Sequence, residues 1–180
     1  MNKIERLLLL IESKTLRMSR FLGNEYYRSK SLKYFNKLGV IYPNGLPKYI
    51  NFDVNFDLTQ PNCISIGKGT VITKECVFLT HDYSIECGLT AITKTNPDYE
   101  MQFLKNIYVG DNTFIGYRCI ILPGTIIGNN CIIGSGSVVR GMIPNDSIVT
   151  GNPAQIVGNT KEWAEKKYSQ KEYINGTPRK

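Results

Sequence analysis

Between residues 109 and 139 the chain reads VGDNTFIGYRCIILPGTIIGNNCIIGSGSVV, and the aliphatic residues Val109, Ile115, Ile121, Ile127, Ile133 and Val139 recur every six positions. An amphipathic helix repeats apolar residues every three to four positions and a half-buried strand every two, so a strict six calls for a turn inside each repeat. Glycine follows the aliphatic residue at Gly110, Gly116, Gly128 and Gly134. Each hexad is therefore predicted to be a short flat strand plus a corner whose unusual backbone angles glycine supplies. A small residue (Thr113, Cys119, Thr125, Cys131, Ser137) stands two before the next aliphatic and is predicted to point inward with it, near a corner where space is short. The residue between them (Phe114, Ile120, Ile126, Ile132, Val138) then faces out. Five apolar residues at outward positions predict that the outer faces pack against another subunit.

Ile66, Ile72 and Phe78 keep the same register, with Gly67, Thr70 and Cys76 at the corresponding places. From Phe78 to Val109 is 31 residues, one more than five sixes, so the register breaks between the two blocks. Residues 80–106 fit no hexad and form a loop thrown out of the repeat; loops of that length in compact domains are functional or disordered. Six-residue periodicity of this kind is a sign of a parallel β-helix, whose ends need caps. The expected organisation is an N-terminal helical cap region over 1–47, the β-helix over 48–158 with its ejected loop 80–106, and a C-terminal helix and basic tail over 159–180. Residues 2–22 place Ile4, Leu7, Leu8 and Ile11 on one face of an amphipathic helix, and 159–172 read as a second helix capped by Asn159 or Thr160.

Composition narrows the class. At 180 residues one domain is expected. No stretch approaches the roughly 18 uncharged apolar residues of a membrane span and the start lacks the pattern of an export signal, which points to the cytoplasm. Peripheral membrane contact through the LLLLI run at 7–11 is the less favoured fate of that apolar stripe. Five cysteines, odd in number and without a C-x-x-C pair, argue against a disulfide framework and a zinc site. The net charge of +7 sits largely in Lys161, Lys166, Lys167, Lys171, Arg179 and Lys180. It favours anionic ligands, but no nucleic-acid motif accompanies it.

The single histidine, His81, stands in FLTHDYS at the first turn into the ejected loop. An imidazole acts as a general base near neutral pH, and a long loop beside a rigid stack is where such a group meets a substrate. The segment TIIGNNCIIGSGSVVRGMIPNDSIVTGNPAQIV, the upstream NFDVNFDLT at 51–59 and the T-H-D at the loop start together resemble the hexapeptide-repeat O-acetyltransferases. The closest likeness is to the maltose, galactoside and nodulation-factor acetyltransferase group, which includes enzymes acting on capsular and O-antigen sugars. It covers about residues 48–158 and ends on GNPA at 151–154.

The resemblance implies an all-β, left-handed parallel β-helix of triangular section with N- and C-terminal helices, assembled as a homotrimer with active sites in the clefts between subunits. It further implies direct acetyl transfer from acetyl-CoA to a hydroxyl of a sugar or glycan, with His81 as general base and no metal. On the acceptor side Asn55 and Asp53 match polar contacts, and a further one falls at Asn62. Tyr83, with Tyr99, Phe103 and Tyr117, suits stacking on a sugar face. On the donor side Tyr117 and Ser135 match the lining of the pantetheine groove, and Phe114 an aromatic beside the cofactor. Arg140 and Gly141 stand where the family has a threonine–lysine pair near the pyrophosphate. Gln155 and Gly158 replace basic residues near the adenosine 3′-phosphate, leaving Lys161 or the tail to serve it. Alternative readings are a streptogramin-type antibiotic acetyltransferase, a serine O-acetyltransferase, or a catalytically inert trimeric scaffold.

Overall fold

The computed structural model describes residues 8, 11–16, 21 and 23–176. Short parallel strands wind as successive coils around three flat faces. The first face stacks Val40–Ile41, Ile64–Ile66, Ile107–Val109, Ile126–Ile127 and Met142–Ile143. Tyr49–Ile50, Val71–Ile72, Phe114–Ile115, Ile132–Ile133 and Ser147–Gly151 form the second, and Asn55–Phe56, Val77–Phe78, Ile120–Ile121 and Val138–Val139 the third. Val40–Ile41 thus pairs into the stack ahead of residue 48.

The hexad rule accounts for this geometry. Ile66, Ile72, Phe78, Ile115, Ile121, Ile133 and Val139 are wholly buried, as are the small inward residues Thr70, Cys76, Cys119, Thr125, Cys131 and Ser137. Each buried isoleucine contributes about 1.5–3 kcal/mol through the water it no longer meets. Phe114 and Ile126 are exposed, and Ile120, Ile132 and Val138 are half-buried.

The corner glycines act differently from the sequence expectation. Gly67, Gly110, Gly116, Gly128 and Gly134 do not adopt positive φ; they allow close approach between coils. A Cβ on Gly110 would lie 2.6 Å from the Gly128 carbonyl and 2.5 Å from Asn129 Oδ1. That space is taken because the Asn129 side chain accepts a hydrogen bond from the Asp111 amide (2.7 Å), and Asn145 does the same for Asn129 (2.8 Å). The left-handed turns fall two residues later in the hexad, at Asn112, Arg118 and Asn130, and at Gly124 and Gly136. Asparagine and glycine tolerate that conformation best, and Arg118 departs from the preference.

Paired residues on the second face are offset by 18 from Ile115 to Ile133 but by 43 from Ile72 to Ile115. The surplus of 25 is the ejected segment. It leaves and rejoins at the edge between the third and first faces through an antiparallel pair, His81–Asp82 with Phe103–Leu104, and carries helix α2 (Ser84–Thr93), none of whose residues is buried. The loop is therefore structured in part.

Helix α1 (Asn24–Lys37), which the hexad pattern did not reveal, seals the first coil. It buries Leu32 and Phe35, with Phe35 packed edge-on to Phe56 and Phe56 against Phe78. The helix expected over 2–22 lies largely outside the described residues; within it 11–16 are helical, Leu8 and Ile11 are exposed and Leu16 is buried. At the other end Ala154–Asn159 folds back antiparallel on Ser147–Gly151, and helix α3 (Thr160–Ser169) follows. Asn159 caps α3 by accepting from the Lys161 and Glu162 amides, yet α3 buries no residue. Among the described residues no helix is long and apolar enough to cross a membrane.

Candidate active site

The third–first edge gathers most of the chemistry. Strand Asn55–Phe56 delivers Asp57 to this edge, and one coil further on Val77–Phe78 delivers Thr80 and His81. Asp57 Oδ2 lies 2.5 Å from His81 Nδ1 and accepts from the Thr80 amide (2.9 Å), the Thr80 hydroxyl (2.9 Å) and the His81 amide (3.2 Å). The Thr59 hydroxyl donates to Asp57 Oδ1 (2.7 Å) and stands 3.0 Å from His81 Nδ1.

Burial opposes ionisation of Asp57, but the hydrogen bonds from Thr59, Thr80 and His81 outweigh it and hold the carboxyl well below the usual carboxylate range. An ionised carboxylate only accepts, so Nδ1 must donate to it; the neutral ring then carries its proton on Nδ1 and presents an unprotonated Nε2. The imidazole is one-third exposed while its carboxylate partner is only 15% exposed. Tyr83 meets the ring edge-on at 5.6 Å. The arrangement can take a proton at Nε2 while the carboxylate steadies the resulting charge.

Asn55 is exposed two residues before Asp57, and the exposed Asn62 lies on the same edge in the left-handed region. Asp53 is exposed, its amide bonded to Asn51 Oδ1. Arg140 and Gly141 also lie on the third–first edge, two coils beyond His81, with Gly141 at φ 76°. Tyr117 and Ser135 occupy the second–third edge, where Ser135 Oγ accepts from the Tyr117 amide (3.1 Å). There Glu75 holds both the Tyr117 hydroxyl (2.9 Å) and Arg118 Nε (2.7 Å). Phe114 projects from the second face, and Gln155 and Gly158 lie exposed on the returning strand. Lys161 is committed to Asp146 at 2.7 Å, on the first–second edge. One chain thus does not bring the expected donor residues together; they occupy separate edges. Asp57, Thr59 and Thr80 are the residues that sequence reasoning left without a role. Their signal was register: Asp57 follows the inward Phe56 as Leu79 follows Phe78, so it stands one coil from the loop start. Among the described residues no group of three His, Cys, Asp or Glu is placed to hold a metal ion.

A family profile described as bacterial transferase hexapeptide (six repeats) matches residues 106–141. The Staphylococcus aureus protein CapG is 34% identical over 146 residues, which span 81% of each chain. WbbJ of Escherichia coli strain K12, named as a candidate lipopolysaccharide biosynthesis O-acetyl transferase, is 31% identical over 106 residues, covering 56% of this chain and 54% of that one. The match thus spans only about half the length of that relative. A solved galactoside acetyltransferase in complex with coenzyme A shares the fold at TM-score 0.51 and 17% identity, over 87% of this chain and 84% of that one. This protein belongs to the bacterial hexapeptide-repeat transferases, and its coil stack is their left-handed parallel β-helix.

Proposed function

We propose that this protein is an O-acetyltransferase that moves the acetyl group of acetyl-CoA to a hydroxyl of a sugar or surface polysaccharide. The observation that carries the reading is the Asp57–His81 pair, which leaves Nε2 free at the edge where the long loop departs. The acceptor hydroxyl attacks the thioester carbonyl carbon while Nε2 takes its proton. The tetrahedral intermediate then collapses, breaking the carbon–sulfur bond, and the imidazolium returns the proton to the departing thiolate. No covalent acyl-enzyme is needed, because holding both substrates together supplies the proximity. The Asp57 carboxylate stabilises the transient imidazolium. A backbone amide at a coil corner serves the oxyanion.

The sugar acceptor is supported by the names of WbbJ and the galactoside enzyme, and the donor by the coenzyme A bound to the latter. The chain assembles as a homotrimer in which the third–first edge of one subunit faces the second–third edge of the next. That arrangement joins His81, Arg140 and Gly141 to Tyr117 and Ser135 in one cleft. It is supported by the exposed Phe114 and Ile126 and by a loop helix that buries nothing within its own chain. The reaction takes place in the cytoplasm, where acetyl-CoA is available and thiols such as the free cysteines here stay reduced.

Thiol release from acetyl-CoA in the presence of a sugar panel tests the activity, and light scattering tests for three times the chain mass of 20.4 kDa. Acetyl-CoA consumption independent of every carbohydrate acceptor, or a monomer at micromolar concentration, would contradict the respective claim.

A further inference from the structure

Counted against its carboxylates, the charge of the chain belongs to one end. Residues 1–48 hold ten Lys and Arg against Glu5, Glu12 and Glu25, whereas residues 49–180 hold twelve Lys and Arg and twelve Asp and Glu. The cationic tail is thus offset within its own part of the chain, and the net +7 resides in the N-terminal cap and the first coil. Helix α1 turns Tyr27, Ser31, Leu32 and Phe35 inward, and the opposite side presents Tyr26, Lys30, Lys33 and Lys37, all exposed and at the spacing of one helical face. Lys30 stands over the Tyr26 ring at 5.3 Å, and Lys37 is held by Glu12. Between α1 and the first–second edge of the first coil opens a groove of about 530 Å³. Its lining includes the apolar Leu32, Tyr42 and Leu46 and the cations Arg28 and Lys33, with Glu25 as its one carboxylate. The Lys68 stem passes beside the same edge, where a Cβ on Gly45 would lie 3.6 Å from its Cδ. Among the described residues Lys30, Lys33, Lys48 and Lys68 have no carboxylate partner, whereas Lys37, Arg118, Lys161 and Lys167 each do.

The same end leaves large apolar side chains in water. Phe21 is 90% and Leu46 60% exposed, and Leu8 and Ile11 are exposed as well, so the apolar stripe of the first helix is not spent on the coil stack at those positions. A soluble polyanion would engage the lysines and leave these side chains wet. An anionic lipid surface uses both: its headgroups attract the cations, and its interface takes the aromatic and aliphatic groups between them. We infer that the N-terminal cap, through the outer face of α1 and the groove beside Leu46, docks this protein on an anionic lipid surface. Lysine stems there lie along the apolar groups while their ammonium groups reach the headgroup phosphates. The catalytic pair lies close to this end, because Phe35 of α1 packs on Phe56 and Asp57 follows it. On the acetyl-transfer reading, docking brings the base to acceptors borne on lipid; docking itself does not depend on that reading.

The test is co-flotation of the full chain with phosphatidylcholine vesicles, plain or containing roughly one-third phosphatidylglycerol. Wild type should float with the anionic vesicles and not with the neutral ones, and its partition should fall as salt rises. Lys30→Gln combined with Lys33→Gln should weaken partition by about fivefold per cation, roughly 25-fold together. Leu46→Ser should weaken it severalfold. Lys166→Gln combined with Lys167→Gln, in the tail, should leave it within about twofold of wild type. Turnover with a soluble sugar acceptor should be the same in all of these, which separates loss of docking from loss of the acetyl-transfer activity. Absence of flotation, equal flotation with neutral vesicles, or an equal loss in the cap and tail variants overturns the assignment. So does binding of dextran sulfate without vesicle binding, which would make the cap a site for soluble polyanions.

Discussion

The Asp57 carboxylate lies 2.5 Å from Nδ1 of His81, from a strand one coil away. Neighbouring coils are tied by parallel ladder bonds at Asn55–Val77 and Phe56–Phe78, so the pair is set by the rigid stack and not by the loop. The histidine enters the loop, but its orientation is fixed from outside it.

Replacing His81 with alanine should lower kcat by roughly 10²- to 10⁴-fold, the usual worth of a general base. The fold should survive, because the imidazole is one-third exposed and is not part of the hydrophobic core cluster. Circular dichroism melts and thiol-release kinetics on the same preparation check both halves. Retention of turnover would remove His81 from the chemistry.

Asp57→Asn preserves shape but puts an amide among donors that all need an acceptor. A fall in kcat of roughly 10- to 1000-fold is expected, because the imidazolium formed during turnover loses its counter-charge. A stability signature accompanies it. The folded protein holds Asp57 below its ordinary value, so the carboxylate's contribution is complete above about pH 4 and is lost only as pH falls through the lowered value. Melting temperatures of wild type and variant should therefore differ most near neutrality and converge only in strong acid. A gap that closed between pH 7 and 5 would point to a different group.

Three glycine-to-alanine changes should separate by mechanism. Gly110→Ala forces a Cβ to within 2.6 Å of the neighbouring coil's backbone and should cost at least about 1–3 kcal/mol by overpacking. Gly136→Ala has open space but φ 74°, and should cost about 1–2 kcal/mol. Gly88→Ala, inside α2 with open space and no positive φ, should be neutral or stabilising by up to about 1 kcal/mol. Denaturant titrations rank them, and the reverse order would refute the close-approach account of the corner glycines.

Asn159→Ala removes the acceptor for two amides at the start of α3 and should cost about 0.5–2 kcal/mol of local stability. Because α3 buries nothing in its own chain, hydrogen exchange over Thr160–Ser169 should rise in the isolated chain while the coil ladders stay protected.

The repeat was legible because burial alternates along most of it: Ile115, Ile121 and Ile133 are inside, and the residue just before each is half-buried or exposed, whereas Ser65 before Ile66 is buried. The site was legible only in part. His81 could be singled out because it is the one histidine and stands at the register break, but its partner was hidden. Nothing in the sequence marks Asp57 as that partner, since no hexads carry the register back to the first coil and a one-coil contact spans 24 residues. Helix α1 escaped because its buried residues, Tyr27, Ser31, Leu32 and Phe35, include a serine and two aromatics in a polar, lysine-rich segment. The corner glycines misled for a general reason: sequence cannot tell a residue chosen for its torsion from one chosen because its neighbour needs the room.

Stacked parallel strands are a template on which further copies of the same chain can add, the route by which such architectures nucleate fibres. Here the final rung of the second face is occupied by Ala154–Asn159 running the opposite way, with a register shift between Ile148 and Val149, while α1 covers the first coil. The second face therefore does not end on the straight parallel edge that a second prism would need. On that face the molecule keeps the stiffness of a cross-β column while turning its last strand against further growth.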